Sequence, residues 1–377
     1  ASTRWTLGAD AGAQAMTAAV ANTATPVTVH AWASLPVLQA TAISTGANDF
    51  ACAVSAGQVF CWGANDSGQL GDGTQQPRGV ARAVHADVQF TDVSVGFAHA
   101  CALSTTGDAY CWGWNAWGQV GDGTTTDRWT PTRVNAPMPF VQVTTGAGYS
   151  CGRTQVGYVY CWGIGSDART ITSPLLVTTS VQFQSIQAGG FNPCGVANVN
   201  TLYCVVDMQV YGPGPTMVVW QPAAMGAVPV TASASSVNQV CGLTTSGVAN
   251  CWMMSQQRMA LWSIGQAATV QVSGAERFVS IRSGFSSVCA LSASGVPYCW
   301  SAGTAGMPSV PSQRVAALAM PQGMRFTTLQ ASLDFSCGIA TTGVAYCWGQ
   351  GDNGQLGDGD AGTPHARMTP GAVLRGK

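Results

Sequence analysis

The chain has 377 residues, of which 46% are hydrophobic and only 8% are charged. Its formal net charge of −1 gives no general attraction to nucleic acid or to an anionic membrane surface. No run of about 18 apolar residues occurs, so we expect no transmembrane segment of its own. The first residues lack the basic and apolar regions of a signal peptide, and we expect that a signal has been removed or that the chain is a piece of a longer polypeptide.

A cysteine hairpin recurs along the chain. Its first copy, CAVSAGQVFCWGANDSGQLGDGT, starts at Cys52, and the second, CALSTTGDAYCWGWNAWGQVGDGT, starts at Cys101. A third strong copy, CGIATTGVAYCWGQGDNGQLGDG, starts at Cys337, and weaker copies start at Cys151, Cys194, Cys241 and Cys289. The copies are 43 to 50 residues apart. A fixed period in this range is typical of propellers, solenoids and arrays.

Each repeat contains the pattern of four short strands. In the second copy, alternation in Cys101–Leu103 and Ala109–Cys111 predicts two strands joined by a turn at Ser104–Asp108. An apolar strand around Phe140–Val143 precedes the next hairpin, and a strand near Pro131–Val134 follows the glycine-rich loop. Four strands in about 48 residues form one propeller blade.

The sequence therefore predicts an all-β, seven-bladed β-propeller of four-stranded blades. We expect one domain over residues 1–377, with 1–25 matching the repeat poorly and repeats from about 26 onward. The segments Pro26–Val29 and Thr369–Val373 both match the last strand of a repeat. This match predicts that the two ends of the chain close the ring.

All fourteen cysteines belong to the seven hairpins, with eight or nine residues between partners. Directly opposed residues of antiparallel strands have Cβ atoms ~4.5–5.5 Å apart, close to the separation in a disulfide. Zinc ligation favours shorter cysteine spacings or nearby histidines, which are absent, and free buried thiols are a further alternative. We predict seven disulfides, each worth about 2–3 kcal/mol in the chain-entropy model before strain is subtracted: Cys52–Cys61, Cys101–Cys111, Cys151–Cys161, Cys194–Cys204, Cys241–Cys251, Cys289–Cys299 and Cys337–Cys347.

Disulfides persist in oxidising compartments. The pairing therefore predicts an extracytoplasmic protein, whether secreted, periplasmic or at the cell surface.

Tryptophan follows the second cysteine in six of the repeats, and Val205 takes this place in the fourth. Repeating tryptophans packed between blades explain the pattern; a light-sensing tryptophan cluster is the alternative. The six residues are Trp62, Trp112, Trp162, Trp252, Trp300 and Trp348.

The GQLGDG loops place Asp72, Asp122 and Asp358 at equivalent positions of different blades. Phosphate or calcium binding would need several ligands in one place. We interpret the loops as structural: the glycines supply turn dihedrals, the aspartates bond to nearby backbone, and the Gln and the Leu or Val contact the adjacent blade.

The WGxNxxGQLGDG pattern resembles the regulator-of-chromosome-condensation repeat. The resemblance covers about residues 26–377 and is specific in repeats one, two and seven. It implies a seven-bladed propeller, and His99 matches the family's histidine near the start of a strand. The paired cysteines differ from the nuclear members and are similar to the extracellular Crinkly-type receptor-kinase repeats and exported bacterial relatives. Across this family the resemblance implies a rigid disc that offers loops to a protein partner, rather than one shared activity.

No catalytic or metal-binding pattern is evident. His30, His85, His99 and His365 occupy different repeat positions and follow no Ser-His-Asp order or metal-ligand spacing. We predict no enzyme activity, no cofactor and no metal, with a carbohydrate-active enzyme as the alternative from another functional class.

Repeats three to six lose the GQLGDG loop. Between Arg169 and Glu276 only Asp207 and Arg258 are charged, and nine of the twelve methionines lie between residues 208 and 324. An uncharged surface rich in Met and aromatic residues indicates contact with a partner, although drift of the repeat is the alternative. The candidate docking residues are Met208, Tyr211, Trp220, Met253, Met254, Met259 and Trp262. We expect the residues after Trp252 to lie in a connection that replaces the glycine-rich loop.

Together these features predict a protein-binding or structural subunit of an extracellular or membrane-associated assembly, with other proteins and no nucleic acid as partners. A free secreted inhibitor or a receptor ectodomain that binds a ligand on one propeller face is the rival hypothesis.

Overall fold

The structure is a computed structural model that describes most, but not all, of the chain. The described residues are 13–18, 27–32, 35–164, 170–178, 181–190, 193–204, 221–222, 229–236, 239–255, 263–264, 268–269, 271–272, 277–284, 287–301, 314–315, 323–361 and 365–376.

Seven antiparallel sheets follow one another along the chain, and each is one blade that runs from an inner strand to an outer strand. This confirms the predicted all-β, seven-bladed propeller. The strands of blades one to three are Ala42–Gly46, Phe50–Ser55, Gln58–Gly63 and Arg78–Ala83; Phe90–Val95, His99–Ser104, Ala109–Gly113 and Arg128–Arg133; and Gln142–Thr145, Tyr149–Arg153, Val159–Ile164 and Thr170–Thr178.

The later blades follow the same order. Their described strands are, for blade four, Phe183–Ala188, Pro193–Ala197, Leu202–Cys204 and Gln221–Pro222; for blade five, Val230–Ser235, Gln239–Thr244 and Ala249–Ser255, with Ser263–Ile264 and Ala268–Thr269 both paired to the third strand; for blade six, Phe278–Ser283, Ser287–Ser292 and Pro297–Ser301; and for blade seven, Phe326–Ala331, Phe335–Ala340, Ala345–Gln350 and Ala366–Ala372. Gln271–Val272 pairs in parallel with Arg314–Val315.

The middle two strands of each blade form the cysteine hairpin. In blade two the register places Cys101 opposite Cys111, as predicted, with the two Cα atoms 4.0 Å apart. The turn between them contains Gly107 at φ +85°, a left-handed conformation that favours glycine. All seven hairpins carry the predicted disulfide.

The hydrophobic core is divided into seven clusters, and each cluster takes residues from two neighbouring blades. Trp112 of blade two packs with Leu70 of blade one, and Trp162 of blade three packs with Val120 of blade two. Trp62, Trp112, Trp162 and Trp252 are at most 2% exposed. This geometry agrees with the interpretation of these tryptophans as packing residues between blades.

Ring closure differs from the prediction at the N-terminal side. The strand Val27–Trp32 pairs with Ala13–Ala18 and not with a blade, so the assignment of Pro26–Val29 to an outer strand was wrong. Blade seven takes its outer strand from Ala366–Ala372, in line with the prediction for that end. The segment after Pro36 then closes the ring, because the Leu38 N–H donates to the Val373 carbonyl over 2.8 Å.

His99 is a buried polar residue of this core. Its side chain is fully buried, and its Nε2 lies 3.0 Å from the Ser150 hydroxyl of blade three. Because that hydroxyl donates to the Gln119 carbonyl, it accepts from His99, which places the proton on Nε2. Burial lowers the pKa of His99 to about 3. The imidazole is therefore neutral and acts as a packing group that bonds to the next blade.

Thiol alkylation and mass spectrometry test the disulfide framework. We expect no free thiol in the native protein, and every peptide crosslink should join hairpin partners such as Cys241 and Cys251, because their strands oppose them directly. A crosslink between two blades, or several alkylated cysteines, would contradict both the pairing and the register.

Replacement His99→Phe tests the role of the buried imidazole. Phe50 occupies the same position in blade one, where its ring packs on Gly46 as His99 packs on Gly96. We therefore expect a cost below about 1 kcal/mol at pH 7.5, since Ser150 keeps its bond to Gln119.

The stabilities of the wild type and of His99→Phe should respond differently to acid. The folded-state pKa of His99 is depressed, so unfolded chains bind the proton first and wild-type stability is lost as pH falls below about 6.5. Between pH 5.5 and 4 the free energy of unfolding of the wild type should fall by about 1.4 kcal/mol per pH unit relative to His99→Phe. Denaturant titrations at several pH values measure this difference, and parallel curves would show that His99 is protonated in the fold.

Candidate functional site

One side of the ring is formed by two sets of loops, which we call the loop face. The first set joins each inner strand to the second strand, and the other joins the third strand to the outer strand. The two sets are hydrogen-bonded to each other in blades one and two. The Ala64 N–H donates to the Asp49 carbonyl over 2.8 Å, and the Trp114 N–H donates to the Ala98 carbonyl over 2.9 Å. The loop face is thus the side on which blades expose residues that the sheets do not constrain.

The long loops of blades one and two are each organised by a buried asparagine. The Asn65 Nδ2 donates to the Thr74 and Gln76 carbonyls, each over 3.0 Å, and its Oδ1 accepts from the Leu70 N–H. Asn115 makes the equivalent bonds in blade two. Sequence reasoning included this asparagine in the repeat pattern but missed that it holds the loop together.

The loop aspartates are satisfied inside their own loops. Asp72 accepts from the Thr74 N–H and hydroxyl, and Arg78 donates to it over 2.9 Å. Burial works to raise the pKa of Asp72, but these bonds outweigh it and the pKa is lowered. Asp122 is held in the same way by Thr124 and Arg128, and Asp358 accepts from His365 and Arg367. This geometry agrees with the structural interpretation of the loops.

The loops also bind the neighbouring blade through their backbone. The indole Nε1 of Trp112 donates to the Gln69 carbonyl over 2.9 Å, and that of Trp162 donates to the Gln119 carbonyl over 2.8 Å. Trp62 makes the same bond to Gln355, which connects blade one with blade seven. The glycine-rich loops therefore hold neighbouring blades together through hydrogen bonds.

A cavity of about 60 Å³ lies between the inner strands, with room for a few water molecules. The wall hydroxyls of Ser44 and Ser94 accept from the backbone N–H groups of Val95 and Thr145 in the next blade, each over 3.0 Å. These polar groups are thus used in joining blades.

The histidines do not come together in the described part of the chain. His99 is in the core, His85 is exposed, and His365 lies beside Asp358; the His30 side chain is outside the described residues. Within the described residues, no group of three or more His, Cys, Asp or Glu could hold a metal ion.

Most of the predicted docking residues lie outside the described residues, namely Met208, Tyr211, Trp220, Met259 and Trp262. Met253 and Met254 are in the strand Ala249–Ser255 and pair with Gln239 and Ile264, so the expectation that they lie in a connection was wrong. In blade two the equivalent position holds Gly113 at φ +98°, where the strand ends. This position is paired in the third strand of blade two as well, and in blade five the strand continues two residues further, with Met254 paired to Ile264.

An aromatic patch, formed by Phe97, Trp114 and Trp117, lies on the loop face of blade two. The ring centroids of Trp114 and Trp117 are 4.5 Å apart, and those of Phe97 and Trp114 are 6.5 Å apart. Phe97 is 38% exposed, and both indoles are partly exposed. Trp117 also lies over Gly148 of blade three, where a Cβ atom would meet its ring.

The propeller does not need these rings. The Trp117 N–H donates to the Gln119 side chain just as the Ser67 N–H donates to that of Gln69, so Ser67 is the blade-one counterpart of Trp117. By the same alignment Ala64 matches Trp114. In the shorter loop, Ala47 matches Phe97, because the N–H of each donates to a glycine carbonyl of the next blade. Sequence reasoning missed the patch, although comparing blades one and two position by position would have found it.

Three carboxylates lie beside the patch and form what we call the acidic rim: Asp49, Asp334 and Asp352. Asp334 and Asp352 are exposed, and the Asp49 carboxylate accepts from Asn353 Nδ2 over 2.9 Å. Burial raises the pKa of Asp49, and the charges of the other two carboxylates raise it further. The Asn48 N–H donates to the Phe97 carbonyl over 3.1 Å, so the rim and the patch are in contact through adjacent residues.

The repeats of the first blades match a known family. Residues 56–103 and 106–152 match the sequence model of the regulator of chromosome condensation (RCC1) repeat, and residues 90–119 match a second model of the same repeat. No curated protein matches the sequence.

Solved structures share the fold at low sequence identity. Prp20p of Saccharomyces cerevisiae superposes with a TM-score of 0.68 at 18% identity, covering 84% of this chain and 86% of that one. Human WBSCR16 superposes with a TM-score of 0.67 at 16% identity, covering 85% of this chain and 94% of that one. The Crinkly WD40 ectodomain of the Arabidopsis thaliana receptor kinase ACR4 superposes with a TM-score of 0.53 at 20% identity, covering 88% of this chain and 98% of that one.

The core clusters shared between blades, the hydrogen bonds from the loops to the next blade and these matches all indicate the same fold. The chain is a seven-bladed β-propeller with one disulfide in each blade, and its residues 56–103 and 106–152 match the RCC1 repeat.

Proposed function

We propose that this propeller is a non-catalytic protein-binding or structural subunit of an extracellular or membrane-associated assembly. The observation that carries the binding role is the aromatic patch. Three large rings are partly exposed at positions where blade one has Ala47, Ala64 and Ser67, so the propeller fold does not require rings there. Aromatic residues are enriched at protein interfaces because they bury large area with few rotatable bonds.

The disulfides support a location outside the cytoplasm. Each of the seven bonds lies inside a blade, and all the cysteines except the partly buried Cys299 are buried. Bonds of this kind persist where the compartment is oxidising. The Crinkly structure, which is an ectodomain, provides a further parallel in the same fold. Among the described residues, no helix has the length and apolar character needed to cross a membrane.

Relatives in the fold support a protein partner. Prp20p has been characterised for its binding to Gsp1p and histones, and yeast RCC1 (Prp20) has been crystallised with Kap60 bound. The near-zero net charge of this chain favours protein over nucleic acid as its partner. A free inhibitor or receptor ectodomain would use the same loop face for its ligand.

The uncharged, methionine-rich arc of blades three to six is a second proposed contact. Its residues Met208, Tyr211, Trp220, Met253, Met254, Met259 and Trp262 are carried into this proposal from the sequence alone. Such a surface suits a permanent interface, since charged residues are depleted at the centres of interfaces.

The double substitution Met259→Ser with Trp262→Ser tests the arc. Buried anchors at an interface centre contribute about 2 kcal/mol each, whereas exposed positions change stability by less than about 0.5 kcal/mol. We expect the variant to leave its native assembly, seen as a shift from complex to monomer in sedimentation velocity, with an unchanged melting temperature.

Val199→Ser is the matched control, because this side chain is 73% exposed on a hairpin turn of blade four. It should remain in the assembly. If the purified wild type is a soluble monomer with no co-purifying protein, and the double substitution changes nothing, the arc is not a docking surface.

A further inference from the structure

We propose that the aromatic patch and the acidic rim together bind an extended segment of a partner protein in which arginine or lysine alternates with apolar residues. This inference rests on the proposed protein-binding function and adds the chemistry of the partner. The patch is formed by Phe97, Trp114 and Trp117, and the rim by Asp49, Asp334 and Asp352.

The patch supplies an apolar contact of defined shape. Trp114 and Trp117 are inclined by 56° to one another with centroids 4.5 Å apart, and Phe97 extends the surface on the other side of Trp114. Trp117 crosses from blade two onto blade three, because Gly148 leaves no side chain beneath it. Two tilted indoles and a phenyl ring offer faces to an aliphatic side chain or to a guanidinium, which is attracted to aromatic faces.

The negative charge of the acidic rim favours a positively charged partner. None of the ion pairs among the described residues involves Asp49, Asp334 or Asp352, whereas Asp72, Asp122 and Asp358 each have an arginine. Beside the effect of burial, the charges of Asp334 and Asp352 raise the pKa of Asp49, so both carboxylates repel that of Asp49. A cationic side chain between them would relieve this repulsion, while a carboxylate would add to it.

The two surfaces are close enough for one short segment. Asn48 is hydrogen-bonded to Phe97 and is the residue before Asp49, and consecutive Cα atoms are about 3.8 Å apart. Asn353, next to Asp352, is hydrogen-bonded to Asp49. The rim and the patch therefore adjoin one another where Asn48 meets Phe97. An extended peptide advances ~3.3 Å per residue, so a nonapeptide spans about 30 Å across this junction.

Charge favours this occupant over a carbohydrate, the other ligand that exposed tryptophans can bind. A neutral sugar would gain from the rings but would leave the three carboxylates without a counter-ion. Carbohydrate binding is therefore an outcome that the experiment must separate from the proposed one.

The test uses the intact protein and fluorescently labelled nonapeptides in which leucine alternates with arginine, with serine or with glutamate. Fluorescence anisotropy at 20 mM and 150 mM salt gives the dissociation constants, and cellohexaose is the carbohydrate probe. We expect the arginine peptide to bind at least ~10-fold more tightly than the serine peptide, to weaken in salt, and to bind where the glutamate peptide does not.

The variant Phe97→Asn/Trp114→Ala/Trp117→Ser replaces the three rings with small side chains that occur in the same two loops of blade one, so it should fold and melt like the wild type. Its dissociation constant for the arginine peptide should be at least ~10-fold higher than that of the wild type, in the range expected for lost cation–aromatic and apolar contacts. Asp334→Asn/Asp352→Asn should reduce affinity by ~3–10-fold at 20 mM salt and by less at 150 mM. Phe97→Asn alone, with a smaller loss in the same direction, serves if the triple variant fails to fold.

Val156→Asn and Asp87→Asn are the controls. Val156 is 56% exposed in the hairpin turn of blade three, and Asp87 is exposed in the link between blades one and two, both away from the loop face. Neither should change the dissociation constant. Equal binding of the arginine and glutamate peptides, wild-type affinity of the patch variants, or binding of cellohexaose but no peptide would overturn the inference.

Failure here is distinguishable from failure of the proposed function. If the native assembly forms but is unaffected by the patch and rim variants, protein binding stands and this surface is not responsible. If no protein co-purifies and no peptide binds, both proposals are wrong.

Discussion

The packing of each blade against the next is the interaction on which this structure depends. Every described hydrophobic cluster takes residues from two adjacent blades, so no blade completes a core by itself. The indole of Trp112 connects the two at one point, since its ring fills the cluster while its Nε1 donates to the Gln69 carbonyl. A ring of this kind is stable only when closed, and Leu38 and Val373 bring the last cluster together from the two ends of the described propeller.

Polar residues at the start of the second strand reinforce the same contact in different ways. His99 bonds to Ser150 of the next blade, while the Tyr149 hydroxyl donates to the Gly189 carbonyl over 3.2 Å. Phe50 fills the position with apolar area alone. Because each inter-blade contact is a local pair, one blade can use a phenyl ring and another a neutral imidazole without altering the backbone. Burial keeps both polar side chains uncharged, which suits a purely structural role.

The loop face can vary because its loops are stabilised from within. The side chains of Asn65 and Asp72 make hydrogen bonds to backbone groups of the blade-one loop. Asn115 and Asp122 make the same bonds in blade two. Between these anchors Gln69 and Leu70 contact the next blade, whereas the position of Ser67 can carry a different side chain. Blade one carries serine where blade two carries Trp117, and the loop geometry is the same. Variation at such positions on a constant frame is how propellers acquire different binding surfaces.

Sequence alone determined the architecture, because the relevant information is local and repeated. The spacing of Cys101 and Cys111 determines the hairpin and its register, and the repetition of that spacing determines the number of blades. Trp112 and the glycine-rich loop could be assigned to packing for the same reason. Prediction failed where the outcome depends on which of several strands a segment meets: Pro26–Val29 matches an outer strand locally, yet Val27–Trp32 pairs elsewhere. Met253 and Met254 were placed in a connection because other blades carry the glycine-rich loop there, but Met253 pairs with Gln239 and Met254 with Ile264, and the local sequence does not reveal these partners. Only the tertiary structure decided that Phe97, Trp114 and Trp117 form one patch beside Asp49, Asp334 and Asp352. These six residues come from three blades and five loops, and closure of the ring is what places the first and the seventh blade side by side.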